Sequence, residues 1–281
     1  MNTVAIIGVG LIGGSFGLAL RKAGFTGRIL GVNGGETIRA ALERGAIDAG
    51  TSLGDAVSQA DLIYLAQPIA RILETLRSLD PLVRPGALVT DAGSTKNEIS
   101  RVARQCIRRC QFLGGHPMAG KEKRGVQEAE ADLFTGRTYV LTPDAPEETE
   151  TVAARALIEW LRRIGAKVMN MRPNEHDGIV AFTSHLPQLV STALAATVGT
   201  HVDSARDLEI AGPGLTDMTR LALSSYDLWR DILATNRQAV DKALAVYIEK
   251  LKDLRRNLSG ADIEAQFEMG AALAARVRRL G

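Results

Sequence analysis

The chain has 281 residues, 46% of them hydrophobic and 23% charged, which is apolar content enough for one large core or two ordinary ones. Its 34 Lys and Arg stand against 32 Asp and Glu, a balance that excludes the basic footprint of a nucleic-acid-binding protein. No apolar run approaches the roughly 20 residues that span a bilayer. The opening MNTVAIIGVG enters a strand without a signal-peptide pattern, so a cytoplasmic protein with no membrane partner is expected.

Thr3 to Gly8 reads as a buried parallel strand, and Leu11 to Ala23 as the helix after it. Arg28 to Val32 is a second strand, Glu36 to Arg44 a helix, Leu62 to Ala66 a strand and Ile69 to Leu79 a helix. Ala87 to Thr90 continues the sheet, Lys96 to Arg109 is helical, and Gln111 to Gly114 is again extended. Arg137 to Leu141 is a strand, Glu148 to Ile164 a long helix, and Ala166 to Met171 a last strand. Alternating strands and helices predict an α/β fold with a doubly wound parallel sheet over residues 1–172. From His176 the chain is nearly all helix-forming, so residues 173–281 are read as an all-helical second domain. Cys106 and Cys110 have no histidine or further cysteine at metal-ligand spacing. They read as reduced thiols, and no metal site is expected.

Gly8 to Gly13 reads G-V-G-L-I-G between a strand and a helix. Gly8 suits the tight turn, Gly10 the close approach of a pyrophosphate, and Gly13 the packing of helix on strand, with Leu11 and Ile12 opening the helix. The helix N-terminus offers unpaired N–H groups and a positive dipole to the phosphates. A nicotinamide dinucleotide is therefore expected. At the end of the second strand Asn33 stands where an NAD-binding chain carries Asp or Glu. A neutral side chain there removes the repulsion of a 2′-phosphate and favours NADP. NAD remains open if Glu36 turns back to the ribose.

Ligands of such sheets lie outside the carboxyl ends of the strands. Ala66-Gln67-Pro68, TDAGSTK (residues 90–96) and GGHPMAG (residues 114–120) fall there. Gln67 and Pro68 are read as cofactor contacts. His116 sits in a glycine- and proline-rich turn, Ser94 in a neighbouring loop, and His185 in T-S-H-L-P-Q at the start of the helical domain. Polar residues meeting at the reactive end of a dinucleotide suit hydride transfer.

The order G-x-G-L-I-G-G-S, T-D-A-G-S-T-K, G-G-H-P-M-A-G and H-D-x-x-x-A-x-x-S-H-L-P resembles the prephenate/arogenate dehydrogenase family of tyrosine biosynthesis, over residues 4 to about 240. The resemblance implies a Rossmann domain joined to a helical dimerisation domain, and oxidative decarboxylation of prephenate or arogenate with hydride transfer to NAD or NADP. It implies that His116 accepts a hydrogen bond from the substrate's C4 hydroxyl and that Ser94 shares this hydroxyl and orients the histidine. It implies that Arg220 grips a carboxylate, that Ser184 and His185 face the substrate, and that His176 and Asp177 serve domain contacts or support the site from behind. Gln188 stands where some members carry a second histidine, Thr216 where some carry a basic residue, and Lys121 where Ser or Thr is common. Gln188 and Lys121 are read as substrate contacts, Lys121 restoring the charge that Thr216 lacks and favouring prephenate. The apolar segments around Val190 to Val198 and Val240 to Leu251 exceed what a small domain buries, so a homodimer is expected. Two rivals are a β-hydroxy-acid dehydrogenase, which would leave GGHPMAG unexplained, and a non-catalytic dinucleotide sensor, which would leave Ser94, His116, His185 and Arg220 unexplained.

Overall fold

The structure is a computed structural model that describes residues 1–279 apart from Glu122, Asp203 and Ala261. The chain opens with β1 (Thr3–Ile7), α1 (Leu11–Lys22), β2 (Arg28–Val32), α2 (Gly35–Glu43), β3 (Ala49–Gly50) and α3 (Leu53–Gln59). It continues through β4 (Leu62–Leu65), α4 (Ile69–Leu79), β5 (Leu88–Asp91), α5 (Asn97–Cys106) and β6 (Gln111–Phe112). These six strands form one parallel sheet in the order β3-β2-β1-β4-β5-β6, the order of a doubly wound dinucleotide fold. Ile7 pairs with Val32 and Leu65, and Leu65 pairs with Asp91. Gly8, Asn33, Ala66 and Ala92 are thus the first residues past one aligned edge.

Beyond Leu113 the structure departs from the expectation of a single parallel sheet. β7 (Gly114–Pro117), β8 (Thr138–Thr142) and β9 (Lys167–Asn170), with α6 (Val152–Arg163) before β9, make a separate three-stranded sheet. In it β7 runs antiparallel to β8, and His116 is paired with Val140. His116 therefore lies in a strand and not in a turn. The two glycines before it are the reason. A Cβ on Gly114 would collide with Thr142 Oγ1, and one on Gly115 would sit 2.7 Å from the Asp91 carbonyl oxygen. Only bare backbone lets β7 pass this close to the end of β5.

One face of the large sheet packs on α1 and the second sheet, where Phe16 stacks on Tyr64 with ring centroids 4.1 Å apart. The other face packs on α3, α4 and α5 and also takes Ile232 and Trp229 from the helical region.

The helical region comprises α7 (Pro173–Val180), a π turn (Ala181–His185), α8 (Leu186–His201), α9 (Ala205–Leu208), α10 (Pro213–Thr219), a 3₁₀ turn (Arg220–Leu223), α11 (Tyr226–Thr235), α12 (Arg237–Arg256) and α13 (Asp262–Arg278). Ala261 and Leu280 of the last predicted segment lie outside the described residues. Pro187 sits inside this helical stretch, where a proline ordinarily kinks the chain. Instead the backbone widens just before it, the Leu186 N–H reaching back to the Ala181 carbonyl, and the helix carries on. Pro173–His201 is consequently one helical run of 29 residues with a window of mean hydropathy 1.3. This corrects the expectation that no apolar run approaches membrane length. Such a run is weak evidence for a membrane, because a core helix passes the same test, and this one carries the buried His176, Asp177 and His185.

Candidate active site

The glycine-rich turn is built as its sequence requires. Gly8 adopts φ +95°, where a Cβ would lie 2.6 Å from the Ala66 carbonyl oxygen. A Cβ on Gly13 would collide with the Gly8 carbonyl, whereas at Gly10 nothing lies within 4 Å of where one would stand. The open side of Gly10 is thus the side on which a pyrophosphate would approach. No side chain caps α1, and its first turn holds no acidic residue, so its leading N–H groups are available to an anion. Beside it runs a cleft of about 390 Å³ lined by Gly10, Leu11, Ile12, Gln67, Pro68 and Ser94, among others. Asn33 follows β2 further along the edge, its Oδ1 accepting from the Gly34 N–H at 2.8 Å.

Asp91 ends β5 with no exposed surface. Its carboxylate accepts from the Gly93 N–H at 2.8 Å and the Gly115 N–H at 3.2 Å, and it forms an ion pair with Lys96, which is equally buried. Lys96 Nζ also donates to the Gly115 carbonyl at 2.7 Å. Both polar groups of Gly115 are therefore gripped by Asp91 and Lys96 of TDAGSTK, which anchors β7 next to His116. Burial pulls the Lys96 pKa below its ordinary value, with Asp91 and Asp177 opposing it.

His116 is half-buried, and its Nδ1 lies 2.8 Å from His176 Nε2. His176 Nδ1 lies 2.8 Å from Asp177 Oδ1. The Asp177 carboxylate also accepts from the Lys96 and Asn97 N–H groups, at 2.7 and 2.9 Å, which caps α5 from the helical region. Burial first, then the neighbouring His176, Lys96 and His185, holds the His116 pKa well below the usual imidazole range. His185 is 2% exposed, with Nδ1 3.3 Å from Asn236 Nδ2 and its ring edge-on to Trp229. Burial takes its pKa down to about 4. A neutral imidazole can accept a hydroxyl proton, and that is the chemistry of alcohol oxidation.

Residues 16–170 match the family described as prephenate dehydrogenase, nucleotide-binding domain, and residues 172–271 the one described as prephenate dehydrogenase, dimerization domain. The chain belongs to the prephenate dehydrogenase family. It is 35% identical to a prephenate dehydrogenase of Bacillus subtilis, over 95% of this chain and 72% of that one. The structure of a prephenate dehydrogenase from A. aeolicus in complex with hydroxyphenyl propionate and NAD+ superposes with a TM-score of 0.85 at 33% identity, covering 100% of this chain and 98% of that one. A Synechocystis arogenate dehydrogenase gives 0.83 at 31% identity, covering 98% and 99%.

Two side chains read as substrate contacts have partners within the chain. Lys121 pairs with Glu130 at 2.5 Å and donates to the Glu128 carbonyl, so its charge is neutralised within the cleft wall. Gln188 is 4% exposed and donates to the Leu221 carbonyl at 2.8 Å. Together with Ser191 Oγ, which accepts from the Ala222 N–H, it holds the turn that begins at Arg220. Gln188 thus bonds the main chain of the turn that carries Arg220. Ser184 lies in the π turn beside His185. Ser94 lines the cleft, but the His116 ring is oriented by His176.

Asp91, Lys96, Asn236 and Trp229 were missed as site residues. The first two bracket a motif from which only Ser94 was singled out. Trp229 Nε1 is buried with no hydrogen-bond partner, and nothing in its local sequence signals that.

The buried imidazoles make stability pH-dependent. Unfolded, His185 titrates at its ordinary 6.5; folded, at about 4. Between those values the unfolded chain binds a proton that the folded chain does not, so stability falls as pH falls through this window, by at most about 1.4 kcal/mol per pH unit for each such group. His116 shifts the same way and adds to the slope. Urea midpoints measured from pH 7 to 5 should decline steadily, and a flat profile would contradict the buried neutral state.

Proposed function

We propose that this chain is a dehydrogenase that oxidatively decarboxylates prephenate to 4-hydroxyphenylpyruvate. The observation that carries the reading is His116, backed by His176 and Asp177 on the strand that leads into the Ala119–Gly120 wall of the glycine-lined cleft. A bound nicotinamide dinucleotide supplies the hydride acceptor. Gly8, Gly10 and Gly13 with the α1 N-terminus would hold its pyrophosphate, Asn33 its adenosine ribose, and Gln67 and Pro68 its nicotinamide end. As the C4–H bond breaks, the electrons of the bond to the departing CO2 enter the ring, which becomes aromatic. His116 accepts a hydrogen bond from the C4 hydroxyl and stabilises the ketone-like character that develops there. Arg220 offers a planar guanidinium to a substrate carboxylate, with Ser94, Ser184 and His185 beside the ring. The domains divide at 172/173, after β9. The free thiols of Cys106 and Cys110 suit the reducing cytoplasm.

One observation favours a second substrate. Lys121 was the cation that argued for the keto acid, and its charge is taken up by Glu130. Arogenate, with an amino-acid side chain, is then a competing substrate. An absorbance assay at 340 nm crossing prephenate and arogenate with NAD and NADP tests both readings. Reduction with neither acid would sink the assignment of activity.

We further propose that NADP is accepted alongside NAD, because neutral Asn33 does not repel a 2′-phosphate and α2 opens at Gly34 without a side-chain cap. Asn33→Asp should lower kcat/KM for NADP at least tenfold relative to NAD, a change of about 1.4 kcal/mol in discrimination. An unchanged ratio would remove Asn33 from cofactor selection.

The working unit is proposed to be a homodimer. Val246, Leu251, Phe267 and Leu273 are exposed on the last two helices, and α13 has no buried residue. A second copy would cover these apolar faces. Sedimentation should return a dimer, and Phe267→Glu with Leu273→Glu a monomer.

A further inference from the structure

We propose that Asp177 sets opposite tautomers on the two site histidines, through His176 for His116 and through Asn236 for His185. His116 then presents a bare Nε2 acceptor, and His185 an Nε2–H donor.

The argument runs outward from one residue. The Asp177 carboxylate accepts from two leading N–H groups of the α5 region, one on each oxygen, as an ionised acceptor at a helix N-terminus does. An ionised carboxylate is an acceptor only. The His176 nitrogen 2.8 Å from it must therefore carry the hydrogen, so His176 is Nδ1–H. A neutral His176 has its lone pair on Nε2, and the atom 2.8 Å away is His116 Nδ1. The hydrogen of that bond must then be on His116, which leaves His116 Nε2 unprotonated.

The second branch uses the backbone of the same residue. Asn236 Nδ2 donates to the Asp177 carbonyl at 2.8 Å, which orients the amide. Its other hydrogen reaches His185 Nδ1 at 3.3 Å. His185 accepts there and must hold its own proton on Nε2.

The competing state is an imidazolium at His176 donating to His116, which would put a proton on His116 Nε2 and remove the acceptor. The charged and titratable groups around it are Lys96 and Asp91 from the β5–α5 region, His116 from β7, and Asp177 and His185 from the helical region. Lys96 and the two other imidazoles oppose a further positive charge. Asp177 favours one but is shared with the α5 N–H groups. Both states satisfy the contacts to Asp177 and His116; they differ in the proton on His116 Nε2, which ¹⁵N spectra read directly. His176, Asp177 and Asn236 act through the two histidines, and are positioning residues.

The catalytic meaning rests on the proposed dehydrogenase reading, in which the C4 hydroxyl needs an acceptor. The tautomers can be read without substrate. The chain has only four histidines, so ¹⁵N-histidine labelling and two-bond ¹H–¹⁵N correlation spectra of the whole protein at neutral pH can assign each ring. The expected pattern is Nδ1–H for His116 and His176 and Nε2–H for His185. Finding His116 as Nε2–H, or His176 doubly protonated, would overturn the proposal.

Variants add an independent check. Asp177→Asn can offer its NH₂ to His176 and invert both rings, so His116 should become Nε2–H and kcat should fall about a hundredfold or more. Should Asp177→Asn fail to fold, His176→Gln and His176→Leu decide instead. Glutamine can still accept from His116 Nδ1 and leucine cannot, so the glutamine variant should keep the His116 tautomer and at least tenfold more activity. Equal loss in both would overturn the relay. The expected tautomers in a protein that turns over neither acid would leave the assignment standing and defeat the functional reading alone.

Discussion

Replacing His116 with Asn lowers kcat by about 10²–10⁴-fold, the range that a positioned acid–base group supplies. Asparagine fills a similar place on β7 and retains a polar group toward His176, so the strand should stay in place. The ring is half-buried, and its loss removes little apolar contact. KM for the dinucleotide should hardly change, because Gly8, Gly10 and the α1 N-terminus are untouched. What disappears is the acceptor for the hydroxyl proton. The pH profile supplies the sign. In the proposed reaction His116 works as the neutral base, and its pKa lies well below the usual imidazole value, so the wild-type rate should hold from neutral pH into the acid range before it falls. In His116→Asn that acid limb should vanish. A wild-type limb at pH 7 or above would contradict the electrostatics of the site, and a variant with full activity would remove His116 from the chemistry.

Lys96→Met carries the largest expected loss of stability. The ammonium is fully buried and paired with a fully buried Asp91. Removing one partner leaves the other charge uncompensated, which costs about 3–5 kcal/mol. Asp91 keeps the Gly93 and Gly115 N–H groups, which offset part of the penalty and none of the charge. The Gly115 carbonyl also loses its donor, so β7 loosens and His116 with it. Turnover should fall in the protein that remains folded. The double variant with Asp91→Asn removes both charges, and most of the stability should return, because replacing a whole buried pair is often nearly neutral. Urea midpoints of the two singles and the double form a thermodynamic cycle. Additive losses would mean that the pair is not coupled.

The legible part of the site was the part written in adjacent residues. G-V-G-L-I-G reads as a phosphate cradle because a positive φ and a close backbone contact each demand glycine at one position. The structure meets those demands at Gly8 and Gly13, and leaves Gly10 open. His116, Ser94 and His185 were legible as candidates because each stands among glycine, proline or polar residues in its own short stretch of sequence. Their relation to one another was not. Asp91 and Lys96 are five residues apart, and a sequence alone does not say whether they face water or each other. Lys121 shows the same limit, since the sequence does not say that Glu130 stands beside it.

What the sequence by itself determined is the order of strands and helices in the first 172 residues apart from the short β3 and α3, the change to a helical region after residue 172, and the glycine cradle. Periodicity and backbone sterics act over a few residues, so a short window contains their causes. Only the tertiary structure decided that β7 leaves the parallel sheet, that His116 meets His176 across 60 residues, and that Asp177 closes α5 from another domain. Those pairings are selected by burial: each polar group taken out of water must find its partner among whatever the packed elements bring within about 3 Å, and that neighbourhood is a property of the whole fold.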